Sequence, residues 1–79
     1  MAEFKYEVTK KLGTLSSSKS GWNRELNMVS WNGNKAKLDI RDWAPDGQKM
    51  GKGISLNREE AAILRTLLED LNLDEIFTE

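Results

Sequence analysis

The amino-acid sequence predicts an α+β domain in which a four-stranded antiparallel sheet is followed by one C-terminal helix, in the order ββββα. Three observations carry this. Up to residue 56 the chain repeats short stretches of alternating apolar and polar residues, separated by turns rich in Ser, Asn, Pro and Gly, which is the pattern of half-buried strands. Beyond residue 57 the apolar residues switch to helical spacing behind a capping signal. The length of 79 residues suits one compact domain, taken as residues 1–79.

The first strand covers residues 6–15, with Tyr6, Val8 and Leu12 on one parity and Glu7, Thr9 and Lys11 on the other. Gly13 and the off-parity Leu15 predict a bulge or bend. Phe4 and Lys5 precede this strand at a terminus expected to fray. Ser16-Ser17-Ser18-Lys19-Ser20-Gly21 is a polar turn, too short to link domains. The second strand runs from Trp22 to Trp31 and sets Leu26 and Met28 against Glu25, Asn27, Val29 and Trp31. Trp22 shares the parity of Leu26 and reads as a core candidate. Asn32-Gly33-Asn34 is a strong hairpin turn, because Asn and Gly tolerate the positive φ it requires.

The third strand places Lys35, Lys37, Asp39, Arg41 and Trp43 on one side and Ala36, Leu38 and Ile40 on the other. Pro45-Asp46-Gly47 turns the chain into a fourth strand over residues 48–56. Gly51 and Gly53 mark a bulge or twist in it, and Ile54 and Leu56 point to the core. Asn57 with Glu60 three residues later forms a capping box, and Glu59 adds favourable negative charge to the first helical turn. Ala61, Leu64, Leu67, Leu68 and Leu71 then form an apolar stripe expected to face the sheet. One helix covers one face of the sheet, so the other is left open.

Composition narrows the function classes. Cysteine and histidine are both absent, so there is no disulfide and no ordinary zinc ligand set; neither a metal nor another cofactor is expected. So small a core needs help, and self-association is the remaining stabiliser. The N-terminus has no secretory signal, and no run of ~20 apolar residues could span a membrane. The expected location is cytoplasmic, free or associated with the nucleoid. The formal net charge is −1, but residues 1–58 hold eleven Lys and Arg against six Asp and Glu, whereas residues 59–79 hold Arg65 against seven acids. Local potential steers an anion and total charge does not, so the strands are the half that could meet one.

The open face is where the chemistry concentrates. Lys35, Lys37 and Arg41 form a cationic ladder that ends in Trp43, and Trp31 lies across the hairpin on the same side. Lys49 and Lys52 from the fourth strand and Lys11 from the first widen this surface. Single-strand binders need cations that track phosphates and flat side chains on which unpaired bases stack. Each residue taken singly has a plainer reading, since lysines keep an open sheet soluble and tryptophans pack across strands. Two tryptophans on a face without helix cover favour binding.

The run Leu38-Asp39-Ile40-Arg41-Asp42-Trp43, the turn Pro45-Asp46-Gly47, and the junction Lys52-Gly53-Ile54-Ser55-Leu56-Asn57 followed by Glu60 resemble the positive-cofactor-four family of transcriptional coactivators. The likeness is greatest to its small bacterial members of the YdbC type, and it covers roughly residues 31–71. It implies curved sheets that form channels for single-stranded DNA, and a homodimer joined through the helices and last strands. It also implies that Trp31, Lys35, Lys37, Arg41, Trp43, Lys49 and Lys52 lie where bases and phosphates are met. The turn between Trp43 and Lys52 is shorter than in the eukaryotic pattern, and the preceding Ser-rich regulatory region is missing. Phosphorylation control is therefore not carried over.

Other classes fit less well. Without histidine or cysteine, no spacing resembles a catalytic constellation, so the protein is expected not to be an enzyme. Residues 47–53 miss the phosphate-loop pattern by one residue of spacing and by the Ser or Thr after the lysine. Asp39 and Asp42 face opposite sides of their strand, which argues against a metal pair. A dimeric protein-interaction module using the same aromatic face is the serious rival. Duplex DNA and RNA are further ligands to distinguish, unpaired bases being favoured because paired ones hide their faces.

Overall fold

The structure, a computed structural model, describes residues 5–78. Phe4 lies outside the described residues. Strands β1 (Tyr6–Ser17), β2 (Asn23–Trp31), β3 (Lys37–Trp43) and β4 (Met50–Leu56) form one antiparallel sheet in the order β1-β2-β3-β4, followed by helices α1 (Arg58–Glu69) and α2 (Leu73–Ile76). This is the ββββα order read from the sequence, with the short α2 added and β1 extended to Ser17.

Local sequence sets each junction. Asn32 and Gly33 take φ of 53° and 76°, and the Asn32 amide donates to the Lys5 carbonyl while the Asn32 side chain accepts from the Lys5 amide. The β1–β2 ladder slips between Val8 and Lys10, between Lys11 and Gly13, and between Thr14 and Ser16, so β1 carries the bulges that Gly13 and Leu15 foretell. A further slip between Arg41 and Trp43 lies opposite Gly51 and Lys52. Gly53 pairs with Arg41, and a Cβ there would sit 2.5 Å from the Ile40 carbonyl oxygen and 2.6 Å from Arg41 Cβ, so only glycine fits. Asn57 and Glu60 form the full capping box of α1.

Burial departs from the expectation on both faces. The face expected to be open holds Val29, Asn27, Asp39 and Trp43, all buried. The face expected to be covered by the helix holds Leu26, Met28, Leu38 and Ile40, which are only half-buried, and Ile54 is 56% exposed. The helix causes this. It touches only β3 and β4, its Ala61 and Leu64 are half-buried, and Leu67, Leu68 and Leu71 of the apolar stripe stay exposed. A cavity of about 520 Å³ therefore opens between α1 and the sheet, floored by Leu26, Leu38 and Ile40 and walled by Leu64 and Leu68.

Candidate nucleic-acid interface

The candidate site is built on the sheet face away from α1. Antiparallel pairing puts directly opposed residues on one side. Tyr6 opposes Trp31, Val8 opposes Val29, Asp39 opposes both Asn27 and Ser55, and Trp43 opposes Met50. These side chains cover one another. The Tyr6 ring lies 5.9 Å from that of Trp31 and 5.6 Å from that of Trp43, both tilted, so the three aromatics form one cluster spanning β1 to β3.

Trp43 is the main correction to the sequence reading. Its parity is as expected, but it is only 4% exposed, and with Val8 and Asn27 it encloses a small cavity of about 60 Å³. Alternation tells which side a residue takes and not how deeply its neighbours bury it. The Tyr6 ring supplies cover that no helix provides. Trp43 Nε1 and Asn27 Oδ1 are buried without a hydrogen-bond partner. Trp22 is half-buried on the opposite face, where its ring edge lies against Gly51, in keeping with its parity.

Arg41 also differs from a free phosphate-seeking cation. Its Nε donates to Asp39 Oδ1 at 3.1 Å, its Nη2 to Asp39 Oδ2 at 3.1 Å and its Nη1 to the Gly51 carbonyl at 3.2 Å. The guanidinium carbon stands 4.9 Å from the Trp31 ring centroid, within cation–π range. The Asp39 side chain is wholly buried and accepts a third donor, the Ser55 hydroxyl, at 2.7 Å. Ser55 in turn accepts from Trp31 Nε1 at 3.0 Å. One buried carboxylate thus fixes both the guanidinium and the indole.

The lysines stand apart from this network. Lys37 is exposed at the start of β3, and Lys35 is exposed in the turn before it. Both border a cavity of about 340 Å³ that also meets Met28, Leu56 and Arg58, on the way round to the helix side. Lys49 is exposed ahead of β4, where its carbonyl accepts the Ala44 amide, and Lys52 is exposed at the β4 bulge. Lys11 lies at the rim of the Trp43 cavity, opposite Asn27. Arg24 is engaged by Asp42 at 2.9 Å; that hydrogen bond, with the charge of Asp42, raises the guanidinium above its ordinary value.

The structure therefore joins Trp31, Arg41 and Trp43 through Tyr6 and Asp39, and sets Lys35, Lys37, Lys49 and Lys52 outside this network as exposed cations. Sequence reasoning did not single out Tyr6, Asp39, Met50 or Ser55. Tyr6 and Asp39 share the relevant parity, but the β4 slip shifts the facing of Met50 relative to Ser55 and hides both. Among the described residues no group of His, Cys, Asp and Glu is placed to hold a metal, and no helix is long and apolar enough to cross a membrane.

The chain is similar to a known family and to a bacterial protein. The family profile described as Transcriptional Coactivator p15 (PC4) matches residues 18–67, from the first turn through β2, β3 and β4 into α1. A protein of Treponema pallidum (strain Nichols), described as uncharacterized, is 54% identical over 72 residues, which is 91% of this chain and 85% of that protein.

Proposed function

The chain belongs to the Transcriptional Coactivator p15 (PC4) family, a DNA-binding family, and from that premise we propose that it binds single-stranded DNA as a homodimer, broadly across sequences, in transcription regulation or DNA processing. The observation that carries this reading is the aromatic and cationic cluster of Tyr6, Trp31 and Arg41 on the sheet face that α1 leaves uncovered. Flat side chains there accept unpaired bases, each stack being worth ~1–3 kcal/mol, and the exposed Lys35, Lys37, Lys49 and Lys52 follow the phosphates. Unpaired RNA offers the same features, so the reading extends to it. The protein acts in the cytoplasm, holds the strand without altering it and needs no cofactor.

Two whole-molecule quantities support the dimer. The accessible surface is 6698 Å², against ~4,900 Å² for a compact monomer of this mass. The Cα radius of gyration is 14.6 Å, against about 11.6 Å for a compact chain of this length. A single copy leaves too much surface open, and part of that surface is an apolar series, Leu67, Leu68, Leu71, Leu73, Ile76 and Phe77, running from α1 to just beyond α2. A second copy seated on the helix-side cavity hides them by twofold symmetry, about 800 Å² per partner being a standard interface.

Titration of a labelled oligothymidine at several salt concentrations tests the reading. Trp31→Ala is expected to weaken binding about 5- to 150-fold at every sequence, with the far-UV circular dichroism spectrum retained. Lys37→Ala is expected to flatten the slope of log affinity against log salt by about 0.7, the loss of one phosphate contact on a single strand. An unchanged slope would show that Lys37 meets no phosphate. Binding that Trp31→Ala leaves intact would favour a protein partner on this face instead.

A further inference from the structure

Beside the aromatic cluster lies an open recess of about 350 Å³ bordered by Trp31, Arg41, Met50 and Ser55, within the ~300–1,000 Å³ typical of small-ligand sites. Resting on the single-strand reading above, we propose that this recess is a base subsite in which Asp39 is the positioning residue that makes Arg41 its donor edge. It selects bases that present carbonyl oxygens, thymine and guanine, over adenine.

A guanidinium carries five N–H donors and no acceptor. Asp39 takes Nε–H and one hydrogen of Nη2, and the Gly51 carbonyl takes one hydrogen of Nη1, which leaves one N–H on each terminal nitrogen. The Arg41 side chain is 16% exposed and borders the recess, which gives these donors a way to an incoming base. They meet a lone pair of thymine O4, or O6 and N7 of guanine, without conflict. The corresponding edge of adenine pairs its N7 acceptor with an amino donor, which faces Arg41 as donor against donor.

The same network removes Arg41 from the phosphate contacts. Its charge is already compensated by a wholly buried carboxylate, so a phosphate gains little by approaching it. The pair is also held in place from three sides. Gly53, having no side chain, makes room for Arg41 Cβ and Cγ, the Trp31 ring lies 4.9 Å from the guanidinium carbon, and Ser55 ties the indole N–H to the same carboxylate. Met50, half-buried and paired with Trp43, supplies the opposite apolar wall. A buried ion pair is weak evidence for stability in its own right, and the guanidinium fork suits planar two-point recognition.

The test compares oligothymidine with oligodeoxyadenosine of equal length, for the wild-type protein and for Arg41→Ala, Arg41→Lys and Asp39→Asn. Self-stacking of adenines is common to every protein, so only the change in the affinity ratio counts. Both Arg41 variants are expected to lower the thymine preference about tenfold. Arg41→Ala is expected to leave the salt slope where it was, and Asp39→Asn, which frees the guanidinium charge, to steepen it by up to about 0.7 while lowering the preference. If Asp39→Asn does not fold, the two Arg41 variants carry the test. A slope flattened by about 0.7 in Arg41→Ala with the base preference intact would overturn the inference and make Arg41 a phosphate ligand. Wild-type protein that binds neither oligonucleotide would overturn the single-strand reading itself, and the subsite with it.

Discussion

Trp43→Ala is expected to lower stability by about 3–5 kcal/mol, the range for truncating a large buried aromatic. The cost is severe for a domain in which Val29, Trp43 and Ala44 are the buried hydrophobic residues among those described. Urea denaturation followed by far-UV circular dichroism, at fixed protein concentration because the proposed association would couple to folding, reads the loss. Trp43→Phe separates packing from polarity. It keeps most of the ring and removes an indole N–H that is buried without a partner, and is expected to stay within about 1 kcal/mol of the wild type. A stable, well-folded Trp43→Ala variant that had lost only DNA binding would restore the sequence-based reading of Trp43 as an exposed stacking platform.

The second large effect concerns association. Leu68 is 54% exposed in the single chain yet walls the apolar cavity between α1 and the sheet. In the proposed homodimer the second copy would cover this position, so that Leu68→Asp would place a carboxylate in a dry interface. The dimer dissociation constant is expected to rise about 30- to 1,000-fold, the span of an interface hot spot. Sedimentation equilibrium at micromolar protein measures it. Because one copy buries so little of its helix, the monomer released is expected to be less stable as well. A wild-type protein that sediments at the mass of one chain would remove the dimer from the account, and the second copy's role in burying Leu73, Ile76 and Phe77 with it.

Much of the fold was legible because its signals are local. The Asn32-Gly33 turn, the capping box of Asn57 and Glu60 and the glycine-marked bulges each follow from the conformational limits of a few adjacent residues. Burial was less legible, since it depends on elements distant in sequence. Trp43 lies on the expected side and is buried by Tyr6, thirty-seven positions earlier in the chain. Leu67 and Leu68 have the spacing of a core stripe but stay more than half exposed in the single chain. At the candidate site, the alternation of Asp39 and Arg41 was visible, yet the same pattern fits an ion pair or a free cation. The choice between them turns on burial of the carboxylate and on the approach of Gly51 and Gly53, which the β4 slip sets.

The uncovered sheet face is proposed to bind unpaired nucleic acid. Fluorescence-anisotropy titration of a labelled ~20-nucleotide oligothymidine against a duplex of equal length, at about 50 and 200 mM salt, tests it most directly. Tight binding to the single strand that weakens with salt is expected, with much weaker binding to the duplex, in which base faces are hidden by pairing. Equal affinity for both, or none for either, would contradict it.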